Sequence, residues 1–198
     1  MASPGHPSLI LASTSVYRRD LLRRLQLPFT SVSPEVDEDA WKQQGLAPQS
    51  LATQLAIAKA TAVGQQSAPH SVVIGSDQVC VLGERILSKP GSRQRAIEQL
   101  TLLSGRQHQL LTAICVWQDG ESWSHVDVTD LTMRSLTPGE IERYVDADEP
   151  WDCAGSYKLE QLGVTLFTAI QSADQTAITG LPLIALANLL RPLGYPLP

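Results

Sequence analysis

Apolar residues recur along this chain with two different periods, and the switches between them mark out strands and helices in turn. Leu9–Ala12 is a short apolar run that predicts a buried strand. Leu21, Leu22 and Leu25, with arginines between them, predict a helix over residues 17–27. Phe29–Val32 reads as a second strand, and residues 34–45 as a polar, acidic loop. The spacing of Leu51, Leu55, Ala58 and Ala62 in an alanine-rich stretch predicts a helix over residues 48–65. Residues 71–74 are a β-branched run that ends in Gly75-Ser76-Asp77. Residues 79–82 and Arg85–Leu87 flank Gly83-Glu84 and predict a hairpin.

Arg93–Leu103 has helical spacing, and residues 109–117 and 123–133 flank Asp119-Gly120 as a second, longer hairpin. Thr137 followed by Glu140 is a capping box for a helix reaching about residue 147. Residues 164–170 predict a strand and residues 181–190 a closing helix after Gly180. Strands and helices alternate while hairpins add antiparallel pairs, so the class is α/β with a mixed central sheet flanked by helices. No composition break marks a boundary, so residues 1–198 are expected to form one domain, or two small lobes sharing a sheet.

Composition narrows the function classes. With 43% hydrophobic and 18% charged residues the chain is a packed globular protein. Its net charge of −5 argues against a general nucleic-acid or anionic-membrane binder, while leaving room for a local basic pocket that takes a small anion. Three cysteines far apart, with no CxxC pair, form neither a zinc site nor a disulfide framework and suit a reducing compartment. Residues 1–8 lack the pattern of a signal peptide, and Leu9–Ala12 is too short for a membrane helix, so a soluble, cytoplasmic protein is expected.

Three stretches carry candidate chemistry. Ser13-Thr14-Ser15-Val16-Tyr17-Arg18-Arg19 runs from a strand straight into a helix, whose free N–H groups make an anion site. Arginines in a first turn oppose the macrodipole and so call for an anion, the alternative being a capped helix with a solvated basic face. Glu35-Val36-Asp37-Glu38-Asp39 sets four carboxylates in five positions, either as a solvated loop or as hard oxygen ligands for Mg²⁺ or Mn²⁺. Asp77, beyond an apolar run and beside Gly75 and Ser76, is a candidate general base or metal ligand, or a turn-forming aspartate. Lys59 and Lys89 read locally as solvated lysines. Phosphate-loop, dinucleotide-fingerprint, HExxH and GxSxG motifs are all absent from the sequence.

Taken in order, LILASTSVYRRDLLRRL, PEVDED, AIAKA, VVIGSDQVCVL, SKP, CAGSYKLE and GLPL resemble the Maf family of nucleoside-triphosphate pyrophosphatases, from Leu9 to Leu190. The resemblance implies an ITPase-like fold, a mixed sheet in two lobes with the site in the cleft between them. It implies a small-molecule nucleotide substrate, a divalent metal (Mg or Mn), cleavage to a monophosphate and pyrophosphate, and a possible homodimer. It implies Asp77 as general base, Glu38 with Asp37 as metal ligands, and Ser13, Arg18, Arg19, Lys59 and Lys89 as triphosphate contacts.

Tyr17, Gln78 and Glu160 are similar to the branch acting on 7-methyl-GTP, where the branch acting on dTTP and UTP carries arginine, threonine and glutamine. Cys153 and Lys158 follow the same branch. A methylated, cationic guanine suits an aromatic face, and a carboxylate suits its N1–H and amino donors. A broader pyrophosphatase of other triphosphates and a non-catalytic nucleotide-binding regulator remain the alternatives. The chain departs from the family pattern at Val16, Ala113, Gln161 and Ser172-Ala173, positions that touch loop conformation more than chemistry.

Overall fold

A computed structural model describes residues 6–198. In chain order the elements are β1 (Leu9–Ala12), α1 (Val16–Arg23), β2 (Phe29–Val32), α2 (Glu38–Lys42), α3 (Pro48–Gly64), β3 (Val72–Leu82), β4 (Arg85–Leu87) and α4 (Arg93–Leu103). There follow β5 (Gln107–Gln118), β6 (Glu121–Met133), α5 (Pro138–Asp148), β7 (Phe167–Gln171), α6 (Gln175–Ile178) and α7 (Leu183–Leu190). The strands form a mixed sheet of order β2-β1-β3-β5-β6-β7, with β4 added to β3. β1 runs parallel to β2 and β3, whereas β3/β4 and β6/β7 are antiparallel. The α/β class with a mixed, helix-flanked sheet is as the sequence predicts.

The chain divides into two compact units, and β3, β5 and β6 each contribute residues to both. Among the described residues the first comprises residues 6–77, Thr112–Asp127 and Asp174–Pro198. Its core joins Leu9 and Leu11 of β1, Val72 and Ile74 of β3 and Ile114 of β5 to leucines of α1 and α7. These apolar positions recur every second residue in the strands, and their burial is what drives α1 and α7 onto that face. α3 is alanine-rich on its buried side, with Ala52, Ala56 and Ala60 at 0% exposure, so its backbone comes close to the strands. The second unit comprises Gln78–Leu111 and Val128–Ala173. In it α4 and α5 lie together, and the buried rings of His108 and Tyr157 cluster with the half-buried Phe167.

Most expected elements are present, with four corrections. Gly75-Ser76-Asp77 does not turn: it lies inside the continuous strand β3, held extended by pairing with β1 up to Gly75 and with β4 from Cys80. The acidic loop contains the short helix α2, because the Asp37 side chain accepts the Asp39 and Ala40 N–H groups and caps it. The strand expected from residue 164 begins at Phe167, after a 3₁₀ turn over Leu162–Leu166. α7 starts at Leu183, since Pro182 precedes it as N-cap residue. The 119–120 hairpin turn has positive φ at both positions, 49° at Asp119 and 94° at Gly120, as the right-handed twist of the flanking strands requires.

Candidate active site

Side chains alternate across β3, so Gly75 and Asp77 share the face that α3 covers while Ser76 takes the other. The backbone of α3 passes so close to Gly75 that a Cβ there would lie 2.7 Å from the Ala60 nitrogen. That approach carries Lys59, the preceding residue, onto Asp77. The Lys59 Nζ donates to Oδ1 of Asp77 at 2.6 Å and pairs with Oε1 of Glu38 at 2.6 Å. Lys59 and Asp77 are buried, whereas 40% of the Glu38 side chain is exposed, so the triad reaches solvent through Glu38. A buried ammonium between two carboxylates needs both, because an uncompensated buried charge is costly.

Arg18 joins this group from α1. Ser15 caps the helix by accepting the Arg18 N–H at 3.4 Å, and the Ser13 hydroxyl oxygen accepts the Ser15 N–H at 3.2 Å. The Arg18 Nε donates to the Gly180 carbonyl at 3.0 Å, and the Ser76 hydroxyl donates to the same oxygen at 2.9 Å. Burial holds the Arg18 guanidinium below its ordinary pKa, and the charges of Asp77 and Glu38 offset only part of that. The segment carrying Gly180 is itself fixed. Asp174 accepts the Thr176 and Ile184 N–H groups, and Thr112 donates to the Ala177 carbonyl. Gly180 sits at φ +108°, a conformation side chains rarely adopt, and a Cβ there would lie 3.3 Å from Arg18 Nε.

The structure therefore brings together Glu38, Lys59, Asp77 and Arg18, with Ser13 buried at the mouth of α1. Tyr17 and Arg19 flank Arg18 and are half-buried, and the Arg19 Nε is buried without a hydrogen-bond partner. Asp37 is exposed and engaged as the cap of α2, which sets Glu38 as that helix's first residue. In the second unit, Gln78 follows Asp77 in β3 and is half-buried, and Lys89 is exposed in the loop after β4. Glu160 is exposed on a turn where the Gln161 and Gly163 N–H groups donate to the Lys158 carbonyl at 3.1 and 3.0 Å. Lys158 anchors that turn, its Nζ donating to the Asp148 carbonyl and its N–H to the Tyr144 hydroxyl, each at 2.9 Å.

Ser76 and Gly180 are site residues that the sequence reading did not single out. The only signal was Gly180 itself, at the head of GLPL, where a glycine can mark a special backbone conformation.

The donor set suits a small hard cation. Glu38 and Asp77 already converge on one cationic group, and Mg²⁺ is usually held by one or two carboxylates, with phosphate and water oxygens completing its shell. Among the described residues, no three His, Cys, Asp or Glu side chains group to hold a metal by themselves. The three cysteines are free and burial pushes each thiol up to about 12, which leaves no thiolate nucleophile at neutral pH. Among the described residues, no helix is long and apolar enough to cross a membrane.

Comparison with known proteins places the chain in a family. The chain is 53% identical over 192 residues to the 7-methyl-GTP pyrophosphatase of Xanthomonas oryzae pv. oryzae, covering 97% of this chain and 100% of that one. Proteins of the same name from Bordetella pertussis and Bdellovibrio bacteriovorus are 50% and 48% identical, over 95% and 92% of this chain and 93% and 95% of theirs. Among solved structures, a nucleoside-triphosphatase / dITP/XTP pyrophosphatase from Mycobacterium abscessus aligns over 94% of this chain and 97% of that one. Its TM-score is 0.47 at 14% identity, too distant a likeness to argue from. The family model described as Maf-like protein matches residues 8–193, and the chain belongs to that family.

Proposed function

We propose that this protein hydrolyses a nucleoside triphosphate, 7-methyl-GTP, to 7-methyl-GMP and pyrophosphate. The observation that carries the reading is the Asp77–Lys59–Glu38 triad with Arg18 beside it, in a chain about half identical to proteins of that name. Two carboxylates and two cations in one place supply both a proton acceptor and anchors for phosphate oxygens.

In this reading Asp77 takes the proton of the attacking water. Lys59, Arg18 and Arg19 meet the phosphate oxygens, with Ser13 hydrogen-bonding at the start of α1 and Lys89 adding a further cation. Arg18 holds its aim through the Gly180 carbonyl, and arginine suits the task because its planar fork matches phosphate. Glu38, with Asp37 beside it in sequence, holds a Mg²⁺ or Mn²⁺ ion, which when bound offsets negative charge on the phosphate oxygens. Tyr17 stacks on the cationic 7-methylguanine ring, Glu160 accepts from its N1–H and amino group, and Gln78 completes the base contacts.

A hydrolysis screen over natural and modified triphosphates, with products identified, tests the proposal. Turnover of 7-methyl-GTP above the others supports it. Equal turnover of many triphosphates would leave a broader pyrophosphatase, and binding without turnover a nucleotide-binding regulator.

A further inference from the structure

We infer that Lys59 is an internal stand-in for the divalent cation: its ammonium lies between Glu38 and Asp77, and it gives up that position when metal and triphosphate enter together. The inference rests on the metal-assisted reading above. Its basis is the geometry of one group. The Lys59 Nζ lies 2.6 Å from a carboxylate oxygen on each side, and only 7% of its side chain is exposed.

Charge explains why the exchange is coupled to substrate. Glu38 and Asp77 carry two negative charges, and Lys59 and Arg18 carry two positive ones, so the group is neutral as it stands. A divalent cation arriving alone would add two positive charges beside a buried ammonium, and like charges at this range repel strongly in a site of low dielectric. A triphosphate reverses the sign of that problem. Its oxygens accept Lys59 and Arg18, which frees the two carboxylates for the metal. Lys59 therefore has two sets of partners, carboxylates before binding and phosphate after it. Metal on the free protein is disfavoured, while metal arriving with nucleotide is favoured. Glu38 is the gate, being the half-exposed member of the triad and the first residue of the short helix α2.

The test is Mn²⁺ binding to the nucleotide-free protein, read from the free-ion signal in electron paramagnetic resonance, with no turnover involved. Lys59→Met keeps most of the apolar stem but removes the charge, and is expected to tighten Mn²⁺ binding roughly tenfold or more. Adding Glu38→Gln to that variant is expected to abolish the gain. Lys59→Gln, a neutral side chain one bond shorter than lysine, serves as the second variant where methionine does not fold, and is expected to tighten binding in the same direction. Unchanged or weaker Mn²⁺ binding in the folded variant would overturn the inference. The two readings fail separately. Wild-type turnover of 7-methyl-GTP with no tightening in the variants sinks only the stand-in. Tightening in a protein that turns over no triphosphate sinks only the proposed reaction.

Discussion

The Cβ that Gly75 lacks would stand 2.2 Å from the carbonyl oxygen of Ala56, so the β3 backbone and the α3 backbone meet with no side chain between them. That contact sets the height of Lys59 above Asp77. Gly75→Ala must therefore push strand and helix apart, an overpacking that costs about 1–3 kcal/mol. The expected outcome is a melting temperature lower by roughly 2–12 °C, at about 2–4 °C per kcal/mol for a chain of this size. Activity falls with it, because Lys59 no longer reaches both carboxylates. Calorimetry alongside a turnover assay checks both, and an unchanged melting temperature would show that the contact relaxes freely.

Asp77→Asn keeps the shape and removes the proposed proton acceptor. The turnover number is expected to drop about 10²–10⁴-fold. The variant should also lose stability, since Asp77 is buried within β3 and its loss leaves the Lys59 ammonium with Glu38 alone. Circular dichroism before the kinetic measurement separates the two effects. A folded variant with near-normal turnover would make Asp77 structural.

Glu38→Gln is expected to raise the half-saturating metal concentration by roughly tenfold while leaving the substrate KM at saturating metal little changed, because an amide is a poorer ligand for a hard cation. Metal titrations of activity at fixed substrate give the answer. An unmoved midpoint would return Glu38 to being a partner of Lys59 only.

Stability against pH tests the second unit. Burial holds the His108 ring down to about 4, against an ordinary 6.5, with its Nε2 2.9 Å from the Tyr157 hydroxyl. The folded state thus binds fewer protons than the unfolded chain between those values. The contribution is fully present above pH 6.5 and is lost as pH falls towards 4, at about 1.4 kcal/mol per pH unit and on the order of 3 kcal/mol in all. Glu140 acts lower. Its carboxylate is held down to about 2 by the Thr137 N–H, then the Thr137 hydroxyl and Arg134, so its share is lost only as pH falls from 4.5 towards 2. Denaturant melts between pH 7 and 4 should therefore show a slope that His108→Gln flattens. An equal slope in the variant would assign it elsewhere.

The sequence revealed elements more readily than contacts. α3, α4, the long hairpin of β5 and β6, and the Thr137–Glu140 capping box follow from local periods and caps, which act within a few residues. Asp77 could be read as a site carboxylate or as a turn former because the small residues Gly75 and Ser76 serve a bend and a close approach equally well. Only the helix packed against β3 decides between them. Lys59 read locally as solvated because its partners, Glu38 and Asp77, lie 21 and 18 positions away and on other elements. The resemblance named these three residues, but neither it nor their spacing says that one ammonium joins the two carboxylates. Gly180 contributes a carbonyl, a group that every residue carries and that side-chain patterns cannot single out.

The central claim is that the chain cleaves 7-methyl-GTP between the α- and β-phosphates and prefers it. In the proposed reading, stacking on Tyr17 would be worth about 0.5–2 kcal/mol for a cationic ring, and a charge-assisted bond to Glu160 about twice a neutral one, which together would give roughly ten- to several-hundred-fold discrimination. The deciding measurement is kcat/KM for 7-methyl-GTP, GTP, dTTP and UTP on one preparation, with products resolved by chromatography. The account predicts 7-methyl-GMP and pyrophosphate in equal amounts, at a kcat/KM at least roughly tenfold above the other three. Release of orthophosphate with 7-methyl-GDP, or dTTP and UTP cleaved as well as 7-methyl-GTP, would contradict it.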